Sequence, residues 1–334
     1  MDAFTPQQTM ELISRIGQKK SKMRLDKLWW NSVLAGPLLG FGCAITLSTN
    51  AAPWYQENAP GLIRTIAASF FPIGLILVVL TGADLYTSNV MFLPVAYLHR
   101  RASLLDIAKS WVLSFFGNLA GMLFFCRYTV HSDPSLRDQC PAKALHYGES
   151  SPGFSPSPSL VICGYGGVFE SAAWKEESIK FAVTKAVTAQ WHQIFLKAIG
   201  ANWLVCLAVF MSISSREIVS KIISIWWPIM TFVGLGMDHV IANMFLIPIG
   251  IFNGAPIGVG YYIWKSMIPA LIGNTIGGGF FVGVVYWYLY MTGDEAVSAD
   301  FDKLEMVHRG ALTAVDENAG PVHRADGHEY GPKV

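Results

Sequence analysis

An imidazole, two carboxylates and two carboxamides sit deep inside long apolar stretches of this sequence, and their spacing repeats. GADLYTSNVMFLP at residues 82–94 aligns with GMDHVIANMFLIP at residues 236–248, so that Gly82, Asp84, Asn89 and Pro94 match Gly236, Asp238, Asn243 and Pro248 at a constant offset of 154. Polar groups at membrane depth are costly and persist where they line a polar path. His239 alone among the eight histidines is expected deep in an apolar stretch. Imidazole takes up and releases a proton near neutral pH, which suits a site passing an anion one way and its acid another. The competing reading is a core histidine with satisfied hydrogen bonds. An ionised carboxylate facing the path would repel an anion. Asp84 and Asp238 are therefore expected to shape the chain, accepting backbone N–H bonds where a half-helix begins. Asn89, Asn118, Asn202, Asn243 and Asn274 are expected to satisfy backbone groups freed by broken helices.

The elements that must hold these groups are membrane helices. Of the 334 residues 52% are hydrophobic and 14% charged, with mean hydropathy +0.40, whereas soluble domains carry about 25% charged residues. Apolar runs at 28–49, 62–97, 107–126, 194–214, 222–252 and 267–291 predict six spans. A span needs about 20 residues, so the second and fifth runs are too long for simple crossings. Those two carry the repeated motif. Pro94 and Pro248, with Gly82, Asn89, Gly236 and Asn243, predict that each divides into two half-helices, with breaks at 83–89 and 240–244. GNLAG at 117–121 and GNTIG at 273–277 extend the duplication at an offset of 156. With three spans per half, the second copy must enter the membrane upside down, giving an inverted repeat. Gly36 and Gly40, Gly117 and Gly121, and Gly273 and Gly277 form GxxxG pairs that let helices approach closely, within one subunit or between subunits.

Basic residues cluster before the first span (Arg15, Lys19, Lys20, Lys22, Arg24, Lys27) and in the loops after the second and fourth, which predicts cytoplasmic termini. Residues 1–27 are expected to form a cytoplasmic amphipathic segment, with Met10, Ile13 and Ile16 on one face lying at the inner membrane surface. Residues 28–291 are expected to form the six-span membrane domain, and 292–334 read as a solvated, disordered cytoplasmic tail. No removable signal peptide is expected. The five cysteines have no CxxC spacing, no metal or cofactor site is indicated, and a net charge of +1 gives no hint of nucleic acid. An enzyme would need a metal or nucleophile constellation that the sequence lacks. A neutral-solute channel is the other rival, although neither repeat has an NPA triplet.

FPIGLILVVLTGADLYTSN (71–89), GYGGVF (164–169), GANWLVCLAV (200–209) and GLGMDHVIANMFLIPIGI (234–251) together resemble the formate/nitrite transporters, in particular those of fungi that carry nitrite. The resemblance implies a homopentamer of aquaporin-like subunits in the lipid bilayer of the plasma membrane, each with its own pore for a small monovalent anion, nitrite or formate, or its acid, coupled to protons. It implies a central pore histidine at His239 facing a hydroxyl at Thr87, with Asn243 one turn beyond. An outer hydrophobic constriction falls on Phe71 and Phe232 and an inner one on Leu75 and Leu85. The family's vestibule lysine falls nearest Lys185, with spacing one residue longer than the pattern. Residues 127–160, rich in Pro and Ser, depart from the family. They read as an atypical insert, a translated intron being favoured over an added extracellular loop.

Overall fold

The computed structural model describes residues 3–126, 169 and 171–292. The insert 127–160 and all but the first residue of the tail lie outside the described residues. Every named element is helical: α1 Pro6–Ser21, α2 Leu25–Asn50, α3 Pro53–Asn58, α4 Pro60–Phe70, α5 Pro72–Thr81, α6 Tyr86–Leu98, α7 Leu104–Cys126, α8 Ala172–Val183, α9 Trp191–Ser214, α10 Ile218–Gly234 and α11 Val240–Phe252. α12, Val259–Met291, closes the body and contains π-helical stretches at Ile263–Met267 and Ile276–Val284. Among the described residues, five stretches are long and apolar enough to cross a membrane: Leu25–Asn50, Pro60–Thr81, Leu104–Phe125, Trp191–Ser214 and Val259–Met291. The expected fifth span is two shorter apolar helices, α10 and α11. The molecule is an all-helical integral membrane protein.

The breaks form differently from the sequence expectation. Pro94 and Pro248 lie inside α6 and α11 rather than at their ends. Glycine ends the preceding helices: Gly82 has φ +75° and Gly236 φ +68°, a left-handed conformation that side chains resist. The next N–H reaches back five residues in both copies, Ala83 N to Val78 O at 3.1 Å and Met237 N to Phe232 O at 3.0 Å. The second break therefore falls at 235–239, ending on His239, rather than after it at 240–244. Asn89 and Asn243, expected in turns, lie in the first turns of α6 and α11.

The core runs between the two halves. α2 lies against α7, and α9 against α12, in equivalent ways. A Cβ on Gly121 would collide with the Val33 carbonyl, and one on Gly277 with the Ile199 carbonyl, so these glycines bring the helices together within one chain. α1 opens with a capping box, Thr5 Oγ1 accepting from Gln8 N at 3.2 Å while Gln8 Oε1 accepts from Thr5 N at 3.0 Å. Its apolar face turns into the protein rather than toward a membrane surface. Met10 and Ile13 are fully buried, and Gly17 lies directly against Phe92 and Ala96 of α6. The equivalent contact in the other half exchanges the small residues, Ala182 of α8 lying against Gly250 of α11.

Candidate functional site

Two asparagines hold the broken segments in the same way. Asn118 Oδ1 accepts from Tyr86 N at 2.8 Å, while its Nδ2 donates to Ser32 O at 2.8 Å and Asp84 O at 2.9 Å. Asn274 Oδ1 accepts from Val240 N at 2.7 Å, while its Nδ2 donates to Ala198 O at 2.8 Å and Asp238 O at 3.0 Å. Each carboxamide thus pairs the first N–H of a half-helix with one carbonyl at the break, Asp84 O or Asp238 O, and ties both to a carbonyl of the neighbouring long helix, Ser32 O of α2 or Ala198 O of α9. Buried backbone groups without partners cost about 1–3 kcal/mol each. This corrects the part given to the aspartates, because the half-helix N–H groups go to Asn118 and Asn274.

Asp84 and Asp238 bind lysines. Lys20 Nζ of α1 lies 2.9 Å from Asp84 Oδ1, and Lys185 Nζ, in the π turn after α8, lies 2.9 Å from Asp238 Oδ1. Both carboxylates are 1% exposed and the lysines only 14% and 12%, so these are buried pairs rather than surface contacts. Asn89 Nδ2 and Asn243 Nδ2 donate to the same carboxylate oxygens. The asparagine carbonyls receive aromatic donors, Trp111 Nε1 on Asn89 O at 3.4 Å and Tyr262 Oη on Asn243 O at 3.2 Å. Asn243 is thereby committed to Asp238. Lys20 was not among the expected site residues, whereas Lys185, expected only by nearness, joins the second break directly.

The two-fold likeness stops at the centre, where Leu85 occupies the position equivalent to His239 and Ile241 that of Thr87. His239 begins α11, and its Nδ1 accepts from Ala242 N at 3.2 Å. That bond fixes the ring proton on Nε2, which faces Thr87 Oγ1 at 2.9 Å. Thr87 is itself held, its carbonyl accepting from Asn202 Nδ2 at 3.0 Å and Cys206 Sγ at 3.4 Å. Nε2–H donates to the hydroxyl, which leaves the Thr87 hydrogen to point elsewhere.

Phe71 and Phe232 meet edge to face with centroids 5.5 Å apart, and Phe232 stands 5.9 Å from the His239 ring. A cavity of about 40 Å³ is lined by both phenylalanines, Lys185, His239 and Asn243. A larger cavity of about 520 Å³ shares Lys185 and Gly236 with it and is also lined by Arg64, Glu177, Lys180 and Lys197. Leu75 and Leu85 are fully buried and line neither of these two cavities. Among the described residues no group of three or more His, Cys, Asp or Glu could hold a metal ion.

A second polar cluster fastens α1 to the turn after α6. Arg101 donates to Glu11 at 2.8 and 3.0 Å and to Ser14 Oγ at 2.9 Å, and Arg15 also bonds Glu11 at 2.8 Å. Burial opposes ionisation of Glu11, but the two arginines outweigh it and hold its carboxyl below the usual 4.5. His99 is held below 6.5 by burial and by Arg101, against a smaller opposing pull from Glu11.

The profile of a family described as formate/nitrite transporters matches residues 7–154 and 158–288. A probable formate transporter of Methanothermobacter thermautotrophicus is 35% identical over 288 residues, covering 86% of this chain and 97% of the relative. An uncharacterised transporter of Saccharomyces cerevisiae is 34% identical over 86% of this chain, which spans 41% of that longer protein. In fold the chain is similar to an FNT family ion channel, with TM-score 0.64, 22% identity and coverage of 84% of this chain and 98% of the other. It is also similar to a pentameric formate channel with formate bound, with TM-score 0.60, 23% identity and coverage of 80% and 98%.

Proposed function

This chain belongs to the formate/nitrite transporter family, and we propose from that premise that it carries nitrite through a pore in each subunit of a homopentamer, coupled to protons. The observation that carries the reading is the hydrogen bond between His239 Nε2 and Thr87 Oγ1 beside a small cavity that Phe71 and Phe232 help to line. That cavity is lined by His239, and the anion advances from it to the Thr87 hydroxyl, which is fully buried, lines neither cavity and has its oxygen already occupied by the His239 donor. A proton taken up at Nδ1, which displaces the Ala242 N–H bond, releases the Nε2 proton to Thr87 Oγ1 and the Thr87 hydroxyl proton to the anion. The substrate leaves as its acid, Thr87 is restored, and His239 resets when its ring proton is exchanged from Nδ1 back to Nε2. The neutral acid then crosses Phe71 and Phe232 on one side and Leu75 and Leu85 on the other without carrying charge through apolar rings. Asp84, Asp238 and Asn89 shape the half-helices and do not touch the substrate, whereas Asn243 lines the small cavity beside His239 and belongs to the substrate pore.

Six crossings, in two inverted halves, with both termini in the cytoplasm and the protein in the plasma membrane, complete the arrangement. Residues 1–27 serve it as a cytoplasmic segment, with 292–334 as a cytoplasmic tail. Formate is the second reading, favoured by the names of relatives from Methanothermobacter thermautotrophicus and Escherichia coli. Uptake of labelled nitrite and labelled formate into proteoliposomes, with and without an inward proton gradient, separates the two. Nitrite accumulation that follows the gradient supports the proposal. Gradient-driven accumulation of formate without nitrite supports the second reading, and uptake of neither removes both.

A further inference from the structure

We infer that Arg64, assisted by Lys197, captures the incoming anion in the large cavity and that Lys185 does not. This inference rests on the proposed anion transport. Four cationic side chains line that cavity, Arg64, Lys180, Lys185 and Lys197, against the carboxylates of Glu177 and Asp238. The ammonium of Lys185 has three protons, and three acceptors already surround it: Met237 O at 2.7 Å, Asp238 Oδ1 at 2.9 Å and Gly236 O at 3.3 Å. Its charge is matched by Asp238, and its donors are spent on the broken segment. Lys180 is partly committed, donating to Gln56 Oε1 at 2.8 Å. Glu177 is held by the amides of Asn50 and Gln56 rather than by a cation. Among the described residues, Arg64 and Lys197 pair with no carboxylate.

The position of Arg64 fits capture. Arg64, Ala67, Ala68 and Phe71 follow the i, i+3, i+4, i+7 spacing of one helix face. The first three line the large cavity, and Phe71 lines the small one. Arg64 thus stands two turns, about 10 Å along the axis, outside the phenylalanine pair. Its Nη2 lies directly over Gly236, so closely that a Cβ there would collide with it. Ala67 and Ala68 line the large cavity between the positions of Arg64 and Phe71, and Gly236, beneath the guanidinium, lines both cavities. A guanidinium fork matches two oxygens in one plane, the shape shared by nitrite and formate, whereas an ammonium is a point charge. The site therefore favours planar two-oxygen anions over spherical halides, and hands them to Phe71 along one face of α4.

The test is the concentration dependence of initial nitrite and formate uptake in proteoliposomes containing wild type, Arg64→Gln, Arg64→Lys or Lys197→Gln, at low and high ionic strength. Arg64→Gln should raise the half-saturating concentration about tenfold, with maximal rate and pH profile near wild type. Arg64→Lys should recover only part of the loss, and chloride should compete with nitrite better in it than in wild type. Lys197→Gln should have a smaller effect that fades with added salt. Matching thermal midpoints exclude misfolding. A wild-type half-saturation in Arg64→Gln overturns the inference, as does full recovery in Arg64→Lys or a loss confined to the maximal rate. Absence of any uptake by the wild type instead removes the transport premise, and the inference with it.

Discussion

Asp84 and Asp238 are each anchored by a lysine remote in sequence, and the energetics of those pairs are open to measurement. Removing one partner of a buried pair leaves a bare charge and costs about 3–5 kcal/mol, whereas replacing both with uncharged residues costs much less. Lys185→Met and Asp238→Asn should therefore each lower the thermal midpoint in detergent, while the double variant recovers most of the loss. Additive losses would show that the pair is not coupled. The aspartates were legible in the sequence because one offset of 154 relates both copies. Lys20 was not, since it is 64 residues from Asp84 and its counterpart Lys185 lies 165 residues on, outside that register. Asn118 and Asn274 were visible as a repeat, but their bonds to Ser32 and Ala198 required the first helix of each half to be in place.

At the level of elements, glycine and not proline decides where the helices break. Proline punctuates helices strongly in sequence, which is why the second break was expected beyond His239. In the packed body, α6 and α11 each tolerate a proline near their far ends. Gly82→Ala meets no atom within 4 Å and should cost only its backbone strain, about 1–2 kcal/mol. Gly236→Ala carries the same strain and displaces Arg64, so it should also raise the half-saturating anion concentration while Gly82→Ala leaves it unchanged. Equal half-saturation in the two variants would separate Arg64 from the substrate. The insert is a further case. Deleting residues 127–160 removes no described helix and should preserve folding and uptake, whereas sharp loss of both would make the segment a working part of the protein.

For the whole molecule, the sequence made the helical class, the repeat and most site residues legible, because apolar length and a constant register survive without knowledge of contacts. The docking of α1 was not, since Met10, Ile13 and Ile16 form an apolar face equally suited to lipid or protein. Its attachment carries a pH dependence. His99 and Glu11 both have lowered values when folded, so their contributions are present above about 6.5 and about 4.5 and are lost as pH falls through the lowered values. The thermal midpoint should therefore decline from pH 7 toward pH 4, less steeply in Glu11→Gln/His99→Asn. An equal slope in that variant would assign the dependence elsewhere. Assembly is tested by a detergent-corrected mass, expected at five chains and contradicted by a monomer or dimer.

The central claim is proton passage through His239 and Thr87, and one substitution isolates it. Asparagine at position 239 can still cap α11 through its oxygen and donate its amide to Thr87, but it cannot titrate. Uptake driven by an inward proton gradient should be compared in wild type and His239→Asn proteoliposomes at equal protein density. The account predicts that the variant loses accumulation above equilibrium and retains at most a gradient-independent leak. Unchanged accumulation with unchanged pH dependence would contradict it and return His239 to a capping residue of α11.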